Sequence, residues 1–156
     1  MSITTAPVTQ ASVIPATVNS APVIMPSLID QMIKWRHHIH SLPECGFDVV
    51  HTAEFIANKL ESFGIEVVRN IGQSGVVGIL RCGDGDASIG LRADMDALHI
   101  QEQNTFEYRS QHKGIMHACG HDGHSTMLLG AAFSLAESKN FNGTVYFIFQ
   151  PDEEHG

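Results

Sequence analysis

Two short apolar stretches in this chain run straight into carboxylates, and that pattern narrows the fold more than any other feature. "SIGLRA" (88–93) is followed at once by Asp94, Met95 and Asp96. "GTVYFIFQ" (143–150) leads through Pro151 into Asp152, Glu153, Glu154 and His155. Both stretches have strand length, apolar or β-branched character and turn-forming neighbours. In open α/β sheets the ligand crevice lies outside the carboxyl ends of the strands. Two acidic clusters therefore sit where a site is expected.

The remaining pattern supplies the rest of an α/β chain. Leu28, Met32, Trp35 and Ile39 recur on one helical face in "SLIDQMIKWRHHIHSLPE", with Ser27 as the expected N-cap and Pro43 beyond the end. Ala53, Ile56, Leu60 and Phe63 share a face of a second helix that stops at Gly64. Strands are expected at 65–70 and 75–81 besides 88–93 and 143–150, and an exposed polar loop at 97–117. A third helix is expected from Asp122 to about Ser138, capped by Asp122 or Ser125, with Met127, Leu128, Ala131 and Leu135 inward. The alternation predicts a three-layer α/β fold, a sheet with helices on both faces.

Residues 1–29 carry no charged side chain and hold Pro7, Pro15, Pro22 and Pro26. They read as a flexible extension (1–29) ahead of one folded domain (30–156). The extension lacks the basic start and unbroken apolar block of a secretory signal. No run approaches a membrane span. Nine Lys and Arg against 17 Asp and Glu give a formal net charge of −8, which disfavours a nucleic-acid partner. Three widely spaced cysteines suit free thiols in a reducing, cytoplasmic setting.

The third polar cluster, "MHACGHDGH" (116–124), precedes the third helix. Cys119 and His121 are separated by one glycine, so both side chains can swing to one side. A thiolate and an imidazole suit Zn²⁺ and similar divalent ions. Glu154 is positioned to supply a third ligand, while Asp94 or Asp96 is suited to ligate or to orient a histidine. In the Glu153–Glu154 pair, one carboxylate can bind metal while its neighbour serves a water that the metal acidifies. His117 and His124 read as polar loop and helix-start supports. The histidines of "RHHIH" (37, 38, 40) read as surface or packing residues, Cys45 and Cys82 as small buried groups, and Asp84 and Asp86 as turn formers.

At this point the motifs resemble a known family. "RADMDAL", "MHACGHDGHSTMLLGAA" and "GTVYFIFQPDEEHG", with "WRHHIHSLPECGF" and "GIEVVRNIGQSGVVGILR", are similar to the metal-dependent amidohydrolases. That family includes hippurate hydrolase, N-acyl-amino-acid amidohydrolases and plant indole-acetyl-amino-acid hydrolases, relatives of aminoacylases and di-metal carboxypeptidases. The resemblance covers residues 30–156. It implies hydrolysis of N-acyl amino acids, small-molecule substrates of hippurate type, by a site that holds two divalent metals (Zn, Mn, Co or Ni) when complete. It implies Cys119, His121 and Glu154 as ligands, Glu153 as general base, and Asp94, Asp96 and His117 as supports. Full-length relatives often form homodimers and carry a smaller lid domain on the α/β catalytic domain.

The sequence also departs from the family. His99 stands where proline is common, Asp152 where alanine is common and His155 where glycine is common. The family's remaining histidine ligands and its lid lie beyond the stretch matched. The expectation is a partial di-metal catalytic domain without a lid, a truncated chain with weak or no activity of its own. Two rival readings are a metal-binding fragment without turnover and a D-x-D phosphatase built on "LRADMD". The second leaves "CGHDGH" and the strand-end glutamates unexplained.

Overall fold

The computed structural model describes residues 25–155. Its elements are α1 (Pro26–Ser41), α2 (Val50–Ser62), β1 (Glu66–Ile71), β2 (Gly75–Cys82), β3 (Ser88–Asp94), α3 (His121–Ser138) and β4 (Gly143–Gln150), followed by a short 3-10 turn at Glu153–His155. All seven correspond to segments expected from the periodicity. Most of the expected extension lies outside the described residues, and its last residues, from Pro26, are already helical.

The sheet order is β1-β2-β4-β3. β1, β2 and β4 pair antiparallel, while β3 runs parallel to β4. A parallel pair needs a long crossover, and loop 95–120 with α3 provides it. Along β4, Val145, Phe147 and Phe149 point inward and meet Leu80, Gly78 and Val76 across the β2 register. This face packs against Ile56 and Leu60 of α2 and Leu129 and Ala132 of α3. Phe63, just past α2, is wedged between Trp35 of α1 and Phe133 of α3, with ring centroids 5.7 and 5.2 Å away.

The α/β layering is as expected, but the described helices all lie on one face. α2 packs on β1 and β2, α3 packs on β3 and β4, and α1 packs on α3. A second helical layer is not found among the described residues. The alternation of helices and strands suggested one, yet Ile148 on the outer face of β4 is 36% exposed.

Three local expectations are corrected. α1 starts at Pro26 with Met25 as its N-cap and no side-chain cap bond, so Ser27 does not cap it. Proline at the first helical position has its φ preset and no N–H to satisfy. Neither Asp122 nor Ser125 caps α3: Gly120 is the N-cap, Asp122 bonds across to α1, and Ser125 donates to the Asp94 carbonyl. The inward face of α3 is Leu128, Leu129, Ala132 and Ala136, while Met127 is 59% exposed. α3 must cover the sheet and also receive α1, so its apolar residues extend almost all round. A Cβ at Gly130 would stand 2.7 Å from Met32 Sδ of α1, which shows how closely the two helices approach.

Loop 97–117 is irregular and largely exposed, as expected, yet it is tied down at several points. Ala97 donates to the Glu44 carbonyl, Leu98 pairs with Met116, and Glu102 and His117 are buried. Burial pushes His117 down to about pKa 4, against the opposing charges of Asp122 and Asp96. No helix among the described residues is long and apolar enough to cross a membrane.

Two stability predictions follow from this packing. Phe147→Ala should cost about 3–5 kcal/mol in urea unfolding, and Ile148→Thr about 1 kcal/mol or less; equal costs would contradict the one-sided core. For His117, the folded pKa lies below the unfolded value of 6.5, so the unfolded state binds the extra proton first. Stability from the neutral ring is therefore full above about pH 6.5 and falls by about 3 kcal/mol as pH drops through about 4. A His117→Asn chain should show a shallower loss over that window, and identical slopes would show that His117 is not buried neutral.

Candidate metal centre

Parallel pairing brings the two acidic clusters together. Asp94, the last residue of β3, lies beside Gln150, the last residue of β4, and Met95 donates to the Gln150 carbonyl at 3.0 Å. The chain then returns along α3, whose first residue, His121, enters between the clusters. Gly120 makes that entry with φ +88°, a left-handed turn that favours glycine.

His121 is 2% exposed and anchored from one side. Its Nδ1 lies 2.8 Å from the Asp96 backbone carbonyl and 3.3 Å from Asp96 Oδ1. Carbonyl and carboxylate oxygens only accept, so Nδ1 carries the proton and donates. Nε2 faces three carboxylates: Asp94 Oδ1 at 3.6 Å, Glu154 Oε1 at 3.6 Å and Glu153 Oε2 at 3.7 Å. Asp96 also fixes the second cluster, because its Oδ2 accepts the Glu154 backbone N–H at 3.1 Å. One buried aspartate thus orients the histidine and the turn that bears the glutamates.

Donor atoms of Cys119, His121 and Glu154 all lie within 4.8 Å of one another, and so do those of Asp94, His121 and His124. His124 Nδ1 stands 2.7 Å from Asp94 Oδ1, and Arg92 Nη1 approaches Asp94 Oδ2 at 3.4 Å. The Cys119 thiol is pushed up, first by its hydrogen bond to Glu154, then by burial and by the charges of Glu154, Glu153 and Asp94. Acids massed around a thiol hold its proton on; a cation among them favours the thiolate.

The donor set fits a divalent cation on independent grounds. Glu154 Oε1 and Asp96 Oδ1 are buried without a hydrogen-bond partner. A buried carboxylate oxygen with no donor is costly, and several carboxylates gathered around one imidazole nitrogen repel one another, which a divalent ion relieves. Thiolate, imidazole and carboxylate together are ligands of zinc and similar ions.

The two departures at the end of the motif are paired with each other. Asp152 adopts φ +56°, which aspartate tolerates better than alanine, and its carboxylate bonds His155 Nδ1. That hydrogen bond raises the His155 pKa above its ordinary value.

Of the residues singled out in the sequence, Asp94, Asp96, Cys119, His121, Glu153 and Glu154 meet in one place. His117 is buried with both ring nitrogens unpartnered and belongs to neither group of converging donors. The sequence reading missed His40, placed among surface or packing residues; it is 5% exposed and bonds Asp122, the neighbour of His121. Arg36 and His40 stand four apart on α1, so they share a face, and that spacing was the available signal. Glu102, buried inside a polar loop, left none.

Comparison with known proteins places this geometry. Residues 90–156 match the model of peptidase family M20/M25/M40. The chain is 52% identical over 134 residues to hippurate hydrolase of Campylobacter jejuni, covering 84% of this chain and 35% of that protein. It is 47% identical over 130 residues to IAA-amino acid hydrolase ILR1-like 2 of Arabidopsis thaliana, covering 83% and 29%. Among solved structures, it superposes with a TM-score of 0.79 and 38% identity on the Bacillus subtilis YXEP protein, a dinuclear metal binding peptidase from the M20 family, covering 82% of this chain and 36% of that one. The chain thus spans about a third of the length of the relatives it matches. Its fold is that of the solved M20 neighbour, and residues 90–156, which hold the strand-end carboxylates and the Cys-Gly-His turn, match the M20/M25/M40 peptidase family.

Proposed function

We propose that these residues form the metal-holding part of an amidohydrolase that cleaves the amide bond of N-acyl amino acids. The observation that carries the reading is His121 Nε2, its ring fixed by Asp96 and the nitrogen faced by Asp94, Glu153 and Glu154 at 3.6–3.7 Å. The names of the relatives, hippurate hydrolase and IAA-amino acid hydrolase, supply the substrate class: an acyl or aryl-acyl group joined by an amide to an amino acid.

Cys119, His121 and Glu154 would hold the cation, one of Zn, Mn, Co or Ni. The site takes two cations when complete, as in the dinuclear neighbour, and Asp94 and His124 are the remaining donors at hand. A divalent ion there polarises an amide carbonyl and brings the pKa of water down towards about 7.

The side chains do the rest. Asp96 holds the tautomer of His121 and the position of Glu154 through two separate bonds. Glu153 is the general base. It stands in the same turn as Glu154, 38% exposed at its side chain, outside the Cys119–His121–Glu154 group yet 3.7 Å from the same nitrogen. It takes a proton from the attacking water as the oxygen joins the amide carbon. It returns that proton to the nitrogen as the C–N bond breaks, releasing a carboxylic acid and an amino acid.

The test is hydrolysis of N-benzoylglycine with added Zn²⁺, Mn²⁺ or Co²⁺, and again with chelator. Turnover should depend on the metal; metal-independent turnover, or cleavage of phosphate esters instead, would contradict the reading. In a metal-loaded chain that turns over this substrate, Glu153→Gln should keep its metal and lose about 10²–10⁴-fold in rate. Retained turnover would remove Glu153 as the base, and joint loss of metal and turnover would make it a ligand.

A further inference from the structure

The buried polar groups that the hydrolytic reading leaves unused are connected. Asp122 Oδ2 accepts from Arg36 Nε at 3.0 Å and lies 2.9 Å from His40 Nδ1. The opposite ring nitrogen, His40 Nε2, lies 3.2 Å from Glu102 Oε1. Glu102 also accepts the Asn104 side-chain amide and the Ser110 backbone N–H. His40, Glu102 and Asp122 are 5%, 8% and 0% exposed.

The directions of donation follow from the partners. Arg36 donates to the same Asp122 oxygen, and Asn104 and Ser110 donate to Glu102, so both carboxyls serve as acceptors. Ionised carboxylates only accept. His40 Nδ1 therefore donates to the first turn of α3, and Nε2 faces the loop that precedes it.

This matters because α3 has no side-chain cap at its start. The helix begins at His121, and Asp122 is the next residue. Arg36 and His40 tie that first turn to α1 through the Asp122 carboxylate, beside the bond from Ser125 to the Asp94 carbonyl. Asp96 secures the ring of His121 from one side, and Asp122 secures its backbone from the other. Seen from the metal centre, α1 is a brace.

We propose that His40 is a positioning residue of the metal centre: by donating through Nδ1 to Asp122 it sets where His121 presents Nε2. The inference rests on the metal-holding role of His121 argued above. A merely structural clamp between α1, the loop and α3 makes a different prediction, because it would use both bonds of His40 alike.

Cobalt(II) titration of the chain separates the two, read by thiolate-to-metal charge-transfer and d–d absorption. His40→Asn places an amide N–H near the Nδ1 position and keeps the bond to Asp122. His40→Gln places one near Nε2 and keeps only the bond to Glu102. Positioning predicts that His40→Gln weakens cobalt affinity by about 10–100-fold with an altered d–d band, while His40→Asn stays within about threefold of the parent. Parental affinity in His40→Gln overturns the proposal, and so does equal weakening in both variants. Should His40→Gln fail to fold by circular dichroism, Arg36→Gln removes the other donor to the same oxygen from a side chain that is 54% exposed. It should weaken cobalt by about tenfold, and unchanged affinity there overturns the proposal. No cobalt band in the parent chain would instead overturn the metal-site reading, and the positioning role with it.

Discussion

The parallel pairing of β3 with β4 is the constraint on which the rest depends. Two strands that run the same way end at the same edge, so Asp94 lies beside Gln150 and the carboxylates that follow each strand face one another. The same pairing forbids a tight turn between the strands and requires a long crossover. That crossover is α3, and its first residue is His121. The topology that collects the acids also delivers the imidazole between them.

Collecting acids in this way works against stability. Glu154 Oε1 and Asp96 Oδ1 are buried without partners, and the Cys119 thiol is held protonated by neighbouring negative charge. The cost is offset by the one-sided core of Phe147, Phe149, Ile56, Leu60 and Leu129 and by the hydrogen bonds that Asp96 accepts from the Glu154 backbone and Asp122 accepts from α1. A cation reverses the balance, since it turns mutual repulsion into shared attraction and favours the thiolate. Structure and chemistry meet there: the arrangement is poor as a packed interior and good as a ligand set.

Much of this could be read from the residues in order. The helical face of Leu28, Trp35 and Ile39, the acidic ends of two strands and the Cys-Gly-His spacing all depend on local period or immediate neighbours, which sequence carries directly. What the residues did not disclose depends on tertiary partners. Asp122 looked like a helix cap because capping is the local use of an aspartate at a helix start; Arg36 and His40, more than 80 positions away, claimed it instead. Glu102 looked like solvated loop because nothing nearby in sequence reveals burial. The inward face of α3 was misjudged because a helix packed on two sides has no clear apolar stripe. The alternation of helices and strands suggested a second helical layer, because alternation does not say on which face each helix lands, and the described helices cover only one face.

X-ray absorption at the zinc edge of the zinc-loaded chain tests the central claim most directly, because it reads the ligands themselves. A centre held by Cys119, His121 and Glu154 predicts one sulfur neighbour at about 2.3 Å and nitrogen and oxygen neighbours at about 2.0–2.2 Å. It also predicts that Cys119→Ser removes the sulfur shell. A shell of nitrogen and oxygen alone in the parent chain would show that the cation does not sit on Cys119, and would contradict the account.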